Sequence, residues 1–285
     1  MSITASQVKE LRELSGVGMM ECKKALVDTD GDLQNALDLL RSNSSLKAEK
    51  KSSRVAADGL VKVAESPDYV TMIEINSETD FAAKDSQFKD FSEEVEAYLV
   101  SNRAETSEDL AEVFVEKRTA LIQSIGENIQ LRRLQTLAVP NGGSIGAYIH
   151  SDGRLAAMVA LSTDNKDLAR DIAMHVSATN PSCLTPADID PEVLKRERAI
   201  YVAQAEESGK DAAIMEKMID GKVNRFLSEV SLVSQSFVKN PDETIQQILD
   251  QHSASIVGFA RFKVGEGIEV EVKDFAAEVA EQLKQ

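Results

Sequence analysis

Residues 144–161 read SIGAYIHSDGRLAAMVAL, and the fold turns on how this stretch is read. Two apolar runs, Ser144–His150 and Leu155–Leu161, flank the turn sequence Ser151-Asp152-Gly153, which predicts a β-hairpin. Leu168, Ile172 and Val176 mark a helix after it. Upstream the same plan stands a first time. Leu60, Val61 and Val63, the turn Ser66-Pro67-Asp68, and Tyr69, Val70, Met72, Ile73 and Ile75 predict a hairpin of β-branched and aromatic residues. Phe88, Phe91, Val95 and Leu99 recur at i, i+3, i+7 and i+11 on one helical face, and a further helix around Leu110–Ile125 leads into the strand IQLRRLQTLAV. SIVGFARFKV near the end is its counterpart. Hairpin, helix and closing strand therefore occur twice, as expected of an internal duplication. The expected class is α+β, with two similar halves built on antiparallel sheets.

Around these halves lie three other segments. In residues 1–54, Val8, Leu11 and Leu14 form an apolar stripe behind the possible caps Thr4 and Ser6, and Met19 and Met20 open a second helix. Asp30 or Asp32 starts a third, so a three-helix bundle is expected, with a Gly-Val-Gly turn at Gly16–Gly18. This segment carries nine basic and eight acidic residues, net +1, against −16 for the whole chain. It ends in SNSSLKAEKKSSR, read as a solvated basic tether or an acidic-partner docking surface. Residues 180–228 interrupt the second half, opened by Pro181, Pro186 and Pro191. Apolar stripes on either side of Ser208-Gly209 predict an antiparallel helical hairpin. After GEGIE, Phe275, Val279 and Leu283 mark a final amphipathic helix. The expected divisions are 1–54, 55–140, 141–179 with 229–263, 180–228, and 264–285.

Charge and composition exclude several functions. With 48 acidic against 32 basic residues, the chain repels nucleic acid and anionic membranes at long range. The apolar runs fall short of a membrane span, and Glu10 and Glu13 stand where a secretion signal would be basic, so a cytoplasmic protein is expected. Phosphate-loop, dinucleotide-turn and zinc-protease motifs are missing, and the two cysteines, Cys22 and Cys183, are far apart. His150, His175 and His252 are scattered as well. No catalytic residue, metal or cofactor is expected.

The segment EINSETDFAAK, Glu74–Lys84, carries the sharpest signal. A strand runs into Asn76–Asp80, and a helix begins near Phe81, with Thr79 or Asp80 as its cap. Phe81 stands seven residues before Phe88, so it reads either as the first knob of that helix's core face or as an aromatic displayed beside an acid.

Here the chain resembles the elongation factor Ts family, the guanine nucleotide exchange factors of elongation factor Tu. The resemblance rests on LRELSGVGMMECKKAL (Leu11–Leu26), VAADG, EINSETDFAAK, IGEN, IAMHVSA, GFARFKVGEGIE and DFAAEVA, in order over essentially the entire chain. Ala82 departs from the Val common there, and Pro140–Gly143 is a longer stretch before His150. The resemblance implies a ubiquitin-associated-like N-terminal module, two core subdomains, an inserted coiled coil and a C-terminal helical module. It implies that Thr79, Asp80 and Phe81 form a wedge entering the partner's nucleotide-binding domain near its magnesium. By the same resemblance Lys9, Leu11, Arg12, Met19 and Met20 grip that domain, Ile125, Gly126, Glu127 and Asn128 lie near the wedge, and His150 touches a second domain. The implied activity is GDP release from elongation factor Tu without bond chemistry, in an assembly that could be 2:2. An adaptor role, or a hydrolase of scattered carboxylates, are the alternatives.

Overall fold

The computed structural model describes residues 3–207 and 211–269. Helices α1 (Ala5–Ser15), α2 (Met19–Asp28) and α3 (Leu33–Lys51) form a bundle around Val8, Leu11, Val17, Cys22, Leu26 and Leu40. Thr4 caps α1 in a reciprocal capping box with Gln7, and the Asp32 carboxylate accepts from the Asn35 amide to start α3. The stretch expected as a tether is helical through Lys51. Its Lys, Ala and Glu residues favour helix, and tertiary contact adds to that preference, as described below.

β1 (Asp58–Glu65) and β2 (Tyr69–Ser77) make the first hairpin, with the Ser66 amide donating to the Tyr69 carbonyl. The chain continues through α4 (Asp80–Lys84), α5 (Ser86–Ser101), α6 (Ser107–Val113) and α7 (Val115–Ile125) into β3 (Gln130–Ala138). The sheet order is β1-β2-β3. α7 packs along α3, and Lys51 Nζ donates to the Ile122 carbonyl at 3.4 Å. One helix was expected over Leu110–Ile125; two are found, parted at Phe114. The break turns the Phe114 ring inward, edge-on to Phe91 and Tyr98 with centroids 5.8 and 5.5 Å away.

In the second half β4 (Ser144–Ile149) and β5 (Leu155–Leu161) pair antiparallel, Ser144 opposite Leu161 and Ile149 opposite Ala156. α8 (Lys166–Thr179) covers both. Next come α9 (Pro191–Glu206) and α10 (Ala212–Val230), the small pair β6 (Ser236–Phe237) and β7 (Asn240–Thr244), α11 (Ile245–Gln251) and finally β8 (Ile256–Lys263). The order β4-β5-β8 repeats the first sheet, a hairpin beside a later strand, so the α+β class and its duplication are visible in the strands themselves. Ala157, Val159 and Leu161 of β5 meet Ile172 and Val176 of α8, with Phe237, Ile245, Ile248 and Ile256 completing that core.

Packing divides the chain into two units, Met1–Lys62 with Ile73–Leu134 and Lys263–Gln285, and Val63–Met72 with Gln135–Phe262. α10 packs on α9, but the seam is narrower than the apolar stripes imply: Val223 and Ala205 are buried while Val193, Ile200 and Ile214 stay exposed. Polar pairs support it, Arg198 with Asp220 at 3.2 Å and Lys222 with Gln204 at 2.6 Å. Phe275, Val279 and Leu283, expected on a final helix, lie outside the described residues. Among the described residues no helix is long and apolar enough to cross a membrane.

α8 lies close against β4 at Gly146, where a Cβ would stand 2.1 Å from the Arg170 amide nitrogen. Backbone cannot yield as a flexible side chain can. Gly146→Ala should therefore cost about 1–3 kcal/mol of stability. A urea midpoint shift equivalent to less than about 0.5 kcal/mol would contradict this close approach.

Candidate functional site

The end of β2 is fixed by a buried carboxylate. Glu74 has no exposed surface, yet five donor contacts reach it: the Gly265 amide at 2.8 Å, Asn76 Nδ2 at 3.0 Å, Arg132 Nη1 at 3.0 and 3.2 Å, and Arg133 Nε at 2.6 Å. Burial pushes its pKa up; the Gly265 amide, Asn76 and the two guanidiniums outweigh that and hold it below the ordinary carboxylate value. Gly265 sits at φ 75°, and a Cβ there would lie 2.2 Å from the Ala57 carbonyl oxygen, so only glycine brings this amide in.

Beyond Asn76 the strand turns. Ser77 Oγ donates to the Thr79 carbonyl, and Thr79, in extended conformation, caps α4 by accepting from the Ala82 amide. Asp80 is the first helical residue rather than the cap, and its carboxylate pairs with Lys84 at 2.6 Å. Phe81 follows at 80% exposure while Phe88 is at 0%. The core-knob reading of Phe81 therefore fails. Its cause is Asp85, whose extended backbone separates α4 from α5, so Phe81 never joins the face that Phe88 begins.

A second corner meets this one. α7 ends at Gly126 in the left-handed region, and Glu127 and Asn128 follow. Glu127 accepts from the Thr79 amide at 2.9 Å and from Thr79 Oγ1 at 2.6 Å. Glu78 in turn accepts from the Asn128 amide at 2.7 Å, and Asn128, itself buried, donates through Nδ2 to the Arg54 carbonyl at 2.8 Å. α7 also holds the N-terminal bundle, since Ser124 Oγ donates to the Gly16 carbonyl at 2.9 Å. Beside Gly16, Leu14, Met19 and Met20 are exposed, Met20 at 78%.

The sequence model described as "Elongation factor TS" matches residues 78–266. The elongation factor Ts of Hahella chejuensis is 48% identical over 99% of both chains. That of Saccharophagus degradans is 50% identical, over 99% of this chain and 98% of its own, and that of Pasteurella multocida 45% over 99% of both. The chain belongs to the elongation factor Ts family.

The family-motif residues fall into distinct settings. Thr79, Asp80 and Phe81 share one corner, with Ile125, Gly126, Glu127 and Asn128 against it. Lys9 and Arg12 are exposed on α1, Lys9 beside Glu13 at 3.7 Å, whereas Leu11, expected to grip a partner, is fully buried in the bundle core. Its side chain has no surface to offer. His150 is exposed just after β4, its Nδ1 3.0 Å from the Asp152 carboxylate. The Arg154 amide first, and His150 as well, lower the Asp152 pKa. Sequence reasoning passed over the Glu74 node, although a glutamate within MIEI and an arginine pair within IQLRRLQ are the anomalies that could have signalled it.

His175 lies in the core of the other unit. Its Nε2 lies 2.8 Å from Gln235 Oε1, and the Val238 amide donates to Nδ1 at 3.3 Å, a pair of partners that fits only the neutral ring. Burial lowers its pKa, with Gln235 opposing. A lowered folded pKa means the unfolded chain takes up protons first on acidification, so this contribution to stability is present above about pH 6.5 and is lost as pH falls below it. Nitrogen NMR should find His175 neutral and protonated on Nε2 at pH 6.5. Half-titration there would refute the assignment. For the first unit, Glu74→Gln should lower stability by about 3 kcal/mol, because it leaves two guanidiniums facing a neutral amide. A change below 1 kcal/mol in chemical denaturation would remove Glu74 from its central position.

Proposed function

We propose that this chain is a guanine nucleotide exchange factor acting on a partner of the elongation factor Tu kind. The observation that carries the reading is Phe81, a large aromatic left 80% exposed on a corner whose backbone is hydrogen-bonded on both sides. Membership of the elongation factor Ts family supports the choice of partner.

The mechanism is linkage rather than bond making. A factor that binds the nucleotide-free partner more tightly than the GDP-bound one weakens GDP binding by the same factor. Phe81 gains about 2 kcal/mol of apolar burial only if the partner opens to admit it, and that opening disturbs the magnesium and phosphate contacts. Asp80 adds a carboxylate directed at the cation's surroundings, exchanging its Lys84 pairing for that setting. GTP then refills the site and releases the factor. Met19 and Met20, with Lys9 and Arg12, extend the contact from the N-terminal bundle, and His150 contributes a contact to another domain of the partner.

Release of labelled GDP from elongation factor Tu, with and without this chain, is the direct test. Phe81→Ala should slow catalysed release about tenfold or more while the melting temperature stays close to that of the parent, since an exposed ring contributes little to folding. Asp80→Asn should also slow release if its charge acts near the cation. A normal rate from well-folded Phe81→Ala protein would defeat the wedge.

A further inference from the structure

α4 has only five residues, Asp80–Lys84. A helix so short does not hold its own direction, because one turn returns few hydrogen bonds for the dihedrals it fixes. The heading of Phe81 must therefore be imposed from outside α4. Ala82 and Ala83 seat α4 in the core and Ser77 Oγ holds the Thr79 carbonyl; the contacts that reach Thr79 from a distant segment come from the α7 corner, and they cross. Glu127 Oε2 takes the Thr79 amide at 2.9 Å, while Glu78 Oε1 takes the Asn128 amide at 2.7 Å. Each corner thus offers a carboxylate to the other corner's backbone, so that their separation and their mutual rotation are both fixed. Glu127 Oε1 also accepts from Thr79 Oγ1 at 2.6 Å, which orients the hydroxyl so that its lone pairs remain for the Ala82 amide at 3.3 Å. Both carboxylate oxygens of Glu127 are therefore directed to Thr79. Asn128 extends the brace through Nδ2 to the Arg54 carbonyl at 2.8 Å, and Arg54 Nη1 stands 3.5 Å from Glu78 Oε1.

We propose that Glu127 is a positioning residue for nucleotide exchange: through Thr79 it sets the direction in which Phe81 is presented, and Glu78 and Asn128 complete the brace. This deepens the exchange-factor reading and rests on it. The family resemblance groups Glu127 and Asn128 with residues near the partner; the geometry gives them work inside this chain instead.

Positioning and direct contact predict different kinetics. Glu127→Ala removes both acceptor oxygens that Thr79 uses, whereas Glu127→Gln can still accept from the Thr79 amide through Oε1 and donate to Thr79 Oγ1. With elongation factor Tu and labelled GDP, the maximal release rate at saturating Glu127→Ala factor should fall about tenfold, equivalent to ~1.4 kcal/mol, with the half-saturating concentration changed by less than about threefold. In a Phe81→Ala background the same substitution should cost less than about twofold, because a residue acting through the ring has nothing left to direct. Thr79→Ser should keep most of the parent rate, and Thr79→Val, which keeps the amide but loses the hydroxyl, should fall between. Independent, multiplying losses from Glu127→Ala and Phe81→Ala, or an unchanged maximal rate in Glu127→Ala, would overturn the proposal. Amide hydrogen exchange of the free proteins supplies a readout that needs no partner. Glu127→Ala should deprotect Thr79 while Ile73 and Ile75 of β2 keep their protection; unchanged protection of Thr79 would overturn the brace. If the parent chain fails to accelerate GDP release at all, the exchange reading falls, and the Thr79 amide alone then decides whether the brace exists.

Discussion

A carboxylate with no exposed surface is tolerated only if its hydrogen-bonding capacity is filled, and much of the first unit is arranged around filling that of Glu74. Its donors come from three segments: Asn76 from its own strand, Arg132 and Arg133 from β3, and the Gly265 amide from the turn after β8. The same arginines reach onward, Arg132 Nη2 to the Glu266 carbonyl at 2.6 Å and Arg133 Nη2 to the Lys263 carbonyl at 3.1 Å. One charge therefore fixes the end of β2, the edge of β3 and residues 263–266 together. The strand-to-helix corner starts three residues further on and inherits that fixed base. An apolar side chain at position 74 could bury as well, but it would not gather these three segments.

The surface near the corner departs from the rest of the chain's chemistry. A net charge of −16 sets up repulsion between copies of a chain, which offsets the tendency of a few large, locally exposed apolar groups to associate. Leu14, Met19 and Met20 are such groups, and the bundle that carries them is fastened to α7 through Gly16 and Ser124. Met side chains adapt to irregular partner surfaces, whereas the Phe81 ring is stiff and suits a defined cleft. The N-terminal segment's net charge of +1 gives it a local field unlike the rest of the chain.

What could be read from the sequence followed from periodicity and local chemistry. The 3.6-residue stripes of α5 and α8, the hairpin turns at Ser66–Asp68 and Ser151–Gly153, and the caps Thr4 and Asp32 each depend on neighbours only a few residues away. Phe81 could not be decided on those terms. Its spacing from Phe88 fits one helix, and only the extended backbone at Asp85 takes it out of register. The break at Phe114 and the helical continuation to Lys51 were likewise hidden, because they depend on rings and a helix distant in sequence. The crossed carboxylates of Glu78 and Glu127 join residues about fifty positions apart, and no local pattern reports such a pair. β6, β7 and α11 escaped for another reason: each is too short to show a period.

The duplicated halves differ in how long each must wait to be finished. β3 follows the first hairpin after residues 78–129, but β8 reaches the second only after residues 162–255, with α9 and α10 intervening. On a ribosome the chain emerges from its N-terminus, so the second sheet lacks its third strand until residues 256–263 have been made. Gly265 leaves later still. Until it does, Glu74 and the two arginines must persist with a donor missing, and residue 265 supplies the amide that completes a site built from much earlier residues. A ribosome that stalls shortly before residue 256 would thus release a chain with an unpaired strand edge in one half and an incompletely satisfied charge in the other, both ready marks for a quality-control protease.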